Sequence, residues 1–542
     1  MIRRTPYYKF FLPIIIISIA ATFRLKDLAK RPMHTDEAVH AVKFGMLLEE
    51  GYYRYDPNEY HGPTLNYFTL IPVWLSSIHK FVDVQETTLR IVPAFFGIVL
   101  VLLTWFLVKG LGNTAVYFSA FFTAISPAMV FYSRYYIQEI LFICFIFGFL
   151  ISVYRYLEKP SIPWAISAGL FLGLMHATKE TFVIFLFAML LSLGLLIVTQ
   201  KDFRHQFFRF IKSINIKHVL IFILSSVIIS VLFFSSFFTN LKGIIDSVAF
   251  LGDYLQRGSG TKIHFHPWYY YLRLIFYSKM DSGPVWSEGF ILFWAIVGVY
   301  ASFSNRIKVL FNKELLKFIT FYTIILTFVF SAIPYKTPWN ILGFLHGYIL
   351  LAGIGISFIW QLVNKKVYRI IFFIFLFLGF CYLMLQSIRA IDVYCASPLN
   401  PYVYSHPDMQ IYDLIDQVDE IVRAQPEGNN IYIEVIYPES NYWPLPWYFR
   451  KYPNVGWWDH VEESIPAAPI ILIAPELESA LIHKLYELPP PGKRDLYIPL
   501  FENYFELRPG AEIRGYVRKD VWDRYYYNQT SSSLPLNKSS YL

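Results

Sequence analysis

Five short stretches of this sequence carry side chains suited to chemistry. In the first, MHTDEAVHAVKFG (33–45), Thr35 is a good helix N-cap followed by acids in the first turn. A helix starting there sets Asp36 and His40 one turn apart on one face. The helix dipole favours an ionised carboxylate at that end, and such a carboxylate can accept a proton from an attacking hydroxyl. The same residues also suit a capped interfacial helix with solvated acids. In the second stretch, YHGPTLNY (60–67), His61 precedes a Gly62-Pro63 turn and either binds phosphate, orients an acid or simply occupies the turn. In the third, SRYYIQE (133–139), Arg134 is suited to a phosphate and Glu139 to a sugar hydroxyl or a cation; alternatively the two form an ion pair closing a helical hairpin. Lys179-Glu180, squeezed between two apolar runs, and Lys336 in PYKTPWN complete the set. Both lysines are counter-charges for a phosphate or diphosphate, or contacts for lipid headgroups. Two weaker patterns remain. His264 and His266 form an HxH that ligates metal if extended, and RGSGTK (257–262) lacks the full GxxxxGK[ST] phosphate loop and reads as a flexible loop.

The elements that must position these groups are membrane helices. Apolar residues make up 56% of the 542, aromatic residues 19% and charged residues only 16%, against about 25% charge in ordinary soluble chains. Runs near the 20 residues needed to cross the hydrocarbon core recur at 8–24, 90–108, 112–131, 137–155, 162–178, 180–199, 218–238, 289–304, 315–333, 341–361 and 368–389. The segment 64–82 is too interrupted to span and suits the interface. Arg3, Arg4 and Lys9 put the N-terminus in the cytoplasm. Eleven spans then place Lys109, Arg155, Lys159, Lys201, Arg204, Arg209, Lys212, Lys217, Arg306, Lys308, Lys313, Lys317, Lys365, Lys366 and Arg369 on that same side. An additional span at 64–82 would invert the later loops and break the agreement. All the chemically rich segments then face outward, including the large first outer loop, 25–89. Gly169-x-x-x-Gly173 and Gly343-x-x-x-Gly347 favour close helix packing. The net charge of +8 is explained by the cytoplasmic loops, and no nucleic-acid-binding module accompanies it. Cys144, Cys381 and Cys395 make neither a disulfide framework nor a CxxC zinc site.

Residues 1–390 thus read as the transmembrane domain. From about 391 to 525 the composition is that of a soluble domain: helical PDMQIYDLIDQVDEIVRA, the strand IYIEVIY, a short helix or loop at WPLPWYFRKY, the buried strand PIILIAPE and helical LESALIHKLYEL. Strands alternating with helices predict a small α/β layer domain without a nucleotide motif. The segment 526–542, with sequons at Asn528 and Asn537, has the composition of a disordered tail.

In order, MHTDEAVHA, GYYRYDPNEYHGPTLNYF, YSRYYIQE, TKET, PYKTPWN and WPLPWYFR resemble the flippase-activity-associated membrane protein family, within the protein O-mannosyltransferase-like superfamily of GT-C fold. The resemblance extends from about residue 30 to 460. It implies an enzyme of the inner or plasma membrane that passes a sugar from a polyprenyl-phosphate carrier to a protein, lipid or glycan outside the cytoplasm. The acidic pair of the first outer loop maps onto Asp36, as general base, and Glu37, which supports it or binds the acceptor. Glu139 resembles the second acidic position. His40, His61, Arg134, Lys179, Glu180 and Lys336 are the accompanying substrate-binding candidates. GWWDH (456–460) is similar to the oligosaccharyltransferase WWD motif, but His460 follows the Asp and the first loop has no DxD, so Trp457, Trp458 and Asp459 read as structural. No nucleotide is expected; a divalent cation is possible and its ligands are unknown. The alternatives are a lipid-linked-sugar flippase and a non-catalytic partner in cell-envelope glycan assembly. The absence of a clear internal repeat, with ionisable groups gathered at one face, favours the enzyme.

Overall fold

Apolar runs account for most of the first 391 residues, and in a bilayer only helices satisfy their backbone groups within the segment. The computed structural model describes residues 8–56, 61–257, 264–304 and 311–533. Arg3, Arg4, Tyr60, the stretch 258–262 of RGSGTK, Arg306, Lys308 and Asn537 lie outside the described residues. Two compact units result, one of Met1–Ala29, Lys43–His79 and Val84–Tyr404, the other of Lys30–Val42, Lys80–Asp83 and Ser405–Leu542. The second unit takes in the chain from Ser405 together with two pieces of the segment 25–89.

The first unit begins with α1 (Tyr8–Leu25). Two helices of the segment 25–89 follow, α2 (Thr35–Glu50), whose first turns belong to the second unit, and α3 (Thr64–Leu75). At 12 residues α3 is too short to span. Next come α4 (Glu86–Leu103), α5 (Val108–Ile125), α6 (Pro127–Tyr132), α7 (Glu139–Glu158), α8 (Ile162–His176) and α9 (Phe182–Thr199). The amphipathic α10 (Lys201–Ser213) has no buried residue and suits a membrane surface. It is followed by α11 (Ile216–Phe234), α12 (Lys242–Arg257), α13 (Tyr270–Phe276) and the pair β1 (Ser278–Lys279) and β2 (Val285–Trp286). The unit closes with α14 (Gly289–Phe303), α15 (Lys313–Ala332), α16 (Leu342–Leu362) and α17 (Lys366–Ile391).

Among the described residues seven apolar helical stretches are long enough to cross a membrane, and Phe11–Leu25, Ile162–His176 and Gly289–Phe303 are shorter apolar helices. This is a polytopic helical membrane protein. One stretch, Glu86–Ile125, has 40 residues, which as a straight helix would measure about 60 Å, twice the hydrocarbon thickness. It is instead α4 and α5, joined by a 3-10 turn and broken at Gly112, whose φ of 76° and ψ of 159° suit glycine.

α16 is nearly all buried at the centre of the unit. A Cβ on Gly298 of α14 would lie 1.9 Å from the Leu351 carbonyl oxygen, and one on Gly355 of α16 would lie 2.1 Å from that of Trp294. Bare backbone on both helices is what lets them touch. The two glycine pairs read from the sequence pack in the same way: Gly169 against Ser225 and Phe222, Gly173 against Ser226 and Ile229, Gly343 against Phe185 and Gly347 against Thr323.

In the second unit, α18 (Ile411–Arg423) precedes β3 (Ile433–Ile436), α19 (Leu445–Tyr448), β4 (Val455–Trp458), β5 (Ile470–Ile473) and α20 (Glu478–Ile482). Then come β6 (Tyr497–Pro499), the hairpin β7 (Glu506–Arg508) and β8 (Ala511–Glu512), β9 (Arg514–Arg518) and α21 (Lys519–Ser533). Five strands form one sheet in the order β4-β3-β5-β9-β6. β3 runs parallel to β4 and β5, while β9 is antiparallel to β5 and β6, so the sheet is mixed. β3 and β5 are buried along their whole length, as their continuous apolar sequences require. The segment 526–533, where composition predicts disorder, continues α21 as helix.

Substituting Gly298 by Leu should wedge α14 off α16 at a cost of about 1–3 kcal/mol, lowering the melting temperature in detergent. Leu at Ile296, a lipid-facing position on the same helix, should leave it unchanged; equal melting of the two variants would contradict this packing.

Candidate functional site

In the second unit, α2 is capped by His34 rather than Thr35. The helix already includes Thr35, whose hydroxyl is buried without a hydrogen bond. The His34 Nδ1 accepts from the Asp36 N–H at 3.0 Å. The His34 N–H donates to the Glu37 carboxylate at 2.9 Å, so Glu37 reaches back as the acid of a capping box does. Arg31 grips the same carboxylate with two parallel bonds, at 2.8 and 2.9 Å, and Glu37 is fully buried. Arg31 also donates to the His406 Nε2 at 2.6 Å. The His406 proton therefore sits on Nδ1, where it bonds the Pro407 carbonyl. Burial, then the charges of Arg31 and His34, push His406 well below the ordinary imidazole range and keep it neutral. The Tyr448 hydroxyl accepts the Met33 N–H at 2.9 Å and ties the approach to α2 onto α19.

This leaves the two acids in opposite situations. Glu37 has its oxygens engaged and acts as a support. Asp36 keeps a carboxylate with 45% of its side chain exposed, at the positive end of a helix. His40, on the next turn, is buried. Arg508 on β7 faces Asp36 electrostatically. Burial lowers its guanidinium from the ordinary range, while the charges of Tyr437 and Asp36 work to raise it. It is held by the Asn441 and Trp443 carbonyls at 3.1 and 2.6 Å.

The first unit gathers most of the other candidates. His61 Nδ1 lies 2.8 Å from Glu180, and Lys179 donates to Glu139 at 2.6 Å. Glu139 thus pairs with Lys179, not with Arg134 as a hairpin-closing pair would require. Its second oxygen, Oε2, is buried without a hydrogen bond. The two sequence stretches meet through backbone: Gly62 N–H bonds the Thr178 carbonyl at 3.1 Å and Thr64 N–H that of Ala177 at 3.3 Å. A Cβ on Gly62 would lie 2.2 Å from the Ala177 oxygen, so only glycine permits the contact. Burial works to raise Glu180, but the charge and hydrogen bond of His61, its own backbone and Lys179 outweigh it and hold the carboxyl below its ordinary range.

Arg134 is turned toward carbonyl oxygens at the end of α1, those of Phe23 and Arg24 at 3.2 and 3.3 Å and of Asp27 at 3.0 Å, besides Lys26. Buried Arg24, which sequence reasoning passed over as the last charge of a span, bonds the Thr123 and Ala124 carbonyls at 2.8 and 3.0 Å. Lys336 is buried, bonded to the Ile333 carbonyl and 6.0 Å from the Tyr271 ring centre, and burial lowers its pKa. It stands beside an aromatic group in which His264 and His266 converge on the Tyr404 hydroxyl at 2.7 and 3.3 Å. Trp339 links that group to Tyr132, which is within electrostatic reach of Glu139. Among the described residues no cluster of three or more His, Cys, Asp or Glu side chains is arranged to hold a metal. Trp457 and Trp458 are sheet residues, one against Tyr442 and the other donating to Tyr432 at 3.4 Å, while Asp459 is exposed beside His460.

This architecture is shared with solved membrane glycosyltransferases. ArnT from Cupriavidus metallidurans bound to undecaprenyl phosphate superposes with a TM-score of 0.60 at 13% identity, covering 94% of this chain and 98% of that one. The fold is GT-C-like. The Archaeoglobus fulgidus oligosaccharyltransferase in its apo form matches with a TM-score of 0.56 at 12% identity over 89% of this chain and 71% of that one. The oligosaccharyltransferase AglB from the same organism, in complex with an inhibitory peptide and a dolichol-phosphate, matches at 0.53 and 13% over 98% and 75%. The family model for dolichyl-phosphate-mannose-protein mannosyltransferase matches residues 69–233. No curated protein matches the chain.

Replacing Lys179 by Met leaves Glu139 buried and unpaired and should destabilise the first unit by about 3–5 kcal/mol; adding Glu139→Gln should restore a large part of it in a double-mutant cycle of thermal stability, and simple additivity would show the pair is uncoupled. A depressed carboxyl stabilises fully above its unfolded value and loses that contribution as pH falls through the folded one. The melting-temperature gap between the native chain and Glu180→Gln should therefore persist from neutral pH to the ordinary carboxylate range and close below it; a gap that widens on acidification would exclude the His61 pairing.

Proposed function

We propose that this protein is a glycosyltransferase that moves a sugar from a polyprenyl-phosphate donor to an acceptor on the outer face of the membrane, and that it is a member of the flippase-activity-associated family. The observation that carries this is the helix end at Asp36: a half-exposed carboxylate at the α2 N-terminus, beside a second acid wholly committed to holding that end in place. Support comes from the fold shared with ArnT bound to undecaprenyl phosphate and with oligosaccharyltransferases, and from the mannosyltransferase family match over 69–233. Eleven crossings, with α4 and α5 counted separately, a cytoplasmic N-terminus and an outer C-terminal domain complete the proposal; the basic loops support that orientation.

In the proposed reaction the acceptor hydroxyl gives its proton to Asp36 as its oxygen bonds the anomeric carbon. The bond from that carbon to the phosphate oxygen breaks with its electron pair, and the configuration inverts. The leaving polyprenyl phosphate carries the charge, and stabilising it is the main electrostatic task. Lys179 and Lys336 are the cations proposed for it. Each needs to release its present partner, Glu139 or the Ile333 carbonyl. Arg134, Glu180 and His61 are proposed to hold the surrounding chain, and Glu139 to receive a sugar hydroxyl at its unused oxygen. Glu37 supports the base, with His40 behind it.

With a labelled polyprenyl-phosphate sugar and the purified protein, Asp36→Asn should lower kcat by about 10²–10⁴, with unchanged melting temperature and donor KM. Native-like transfer by that variant would remove Asp36 as base, and lipid scrambling by the native chain without sugar transfer would replace the enzyme with a flippase.

A further inference from the structure

We propose that His34 is a positioning residue that holds Asp36 ready as a base only while its imidazole is neutral, so that His34 contributes to the acid limb of the activity. The proposal rests on the assignment of Asp36 as the base.

His34 is buried and occupies the N-cap of α2. Its Nδ1 accepts the Asp36 N–H at 3.0 Å, which requires a lone pair there and puts the neutral ring's proton on Nε2. The same Nδ1 lies 3.9 Å from the Asp36 Oδ2. One atom thus addresses both the backbone that aims Asp36 and the carboxylate that is to take a proton. A second proton, taken from solvent onto Nδ1, makes it a donor. The Asp36 N–H then loses its acceptor and the imidazolium turns to the carboxylate. Asp36 would be ion-paired, with the lone pair needed by the acceptor hydroxyl engaged by His34.

The groups around the ring define both states. From the helix itself come Asp36 and Glu37, the latter bound by the His34 N–H. From the preceding segment comes Arg31, paired with Glu37. The His406 ring lies 5.5 Å from the His34 ring, and its neutral state is fixed by its bonds to Arg31 and Pro407. The Tyr448 hydroxyl of α19 holds the neighbouring Met33 N–H. Arg508 on β7 is within electrostatic reach of Asp36. Arg31 and Glu37 pair with each other, so the carboxylate oxygen that a proton on the His34 Nδ1 can turn to is the Asp36 Oδ2 3.9 Å away.

Asparagine is a good N-cap whose side-chain oxygen can accept the same backbone N–H but does not titrate. We expect His34→Asn to keep kcat within about threefold of the native value at the upper plateau and to lose part of the native acid limb. His34→Leu, without an acceptor, should lower kcat by about tenfold or more across the pH range with donor KM unchanged. Superposable pH profiles for the native chain and His34→Asn, or native kcat in His34→Leu, would overturn the proposal. If His34→Leu fails to fold, the Asn profile alone decides. Asp36→Asn assayed in parallel separates the two failures: an active Asp36→Asn removes the base assignment, whereas an inactive one with superposable His34 profiles removes only the role of His34.

Discussion

A carboxylate that serves as a base must be held firmly yet left chemically unpaired, and these demands conflict if one side chain has to meet both. Here they fall on adjacent residues. Glu37 is buried in a two-pronged grip from Arg31 and closes the helix end by binding the His34 N–H. Asp36 is thereby fixed through backbone, with its oxygens spared. The cost of burying Arg31 and Glu37 is met because each is satisfied by fork geometry and further hydrogen bonds, the condition under which a buried ion pair is tolerated.

The membrane unit follows the same economy of charge. Its ionisable groups near the helix ends are mostly engaged: Lys179 with Glu139, Glu180 with His61, Arg134 and Arg24 with carbonyl oxygens. Charge at that depth is expensive unless paired, so a phosphate arriving there would exchange with an existing partner instead of meeting a bare cation. Gly62 makes part of this arrangement possible, because a side chain there would push the His61 segment off the Ala177 carbonyl and separate His61 from Glu180.

The sequence made the membrane helices legible because their hydropathy is intrinsic to each segment, and the interrupted apolar pattern of 64–82 matches an α3 of 12 residues, too short to span. The helix at 35–50 was legible from its acids, although its cap was not. Thr35 has the better propensity, but the structure uses His34, whose N–H is bound by Glu37 and whose ring lies against that of His406, 372 positions away in the chain. Glu139 is legible as a charge at a span end, but the only partner its local sequence offers is Arg134, one of the two readings left open for it, since Lys179 becomes a neighbour only when α7 and α8 pack together. Arg31, Arg24, His406 and Arg508 escaped notice because a lone basic or imidazole side chain carries no local pattern. The mixed character of the soluble sheet was hidden because strand direction is set by pairing, to which the alternation of strands and helices is blind.

The contrast between α11 and α16 has a practical consequence. Apart from Phe234, α11 has no buried residue, whereas α16 is buried over most of its length. Of the three native thiols, Cys144 and Cys395 are buried and Cys381 is half-buried. Spectroscopic probes therefore have a natural attachment line along the lipid-facing side of α11, at positions such as Leu220 and Leu224, with Cys381 the native thiol to silence first.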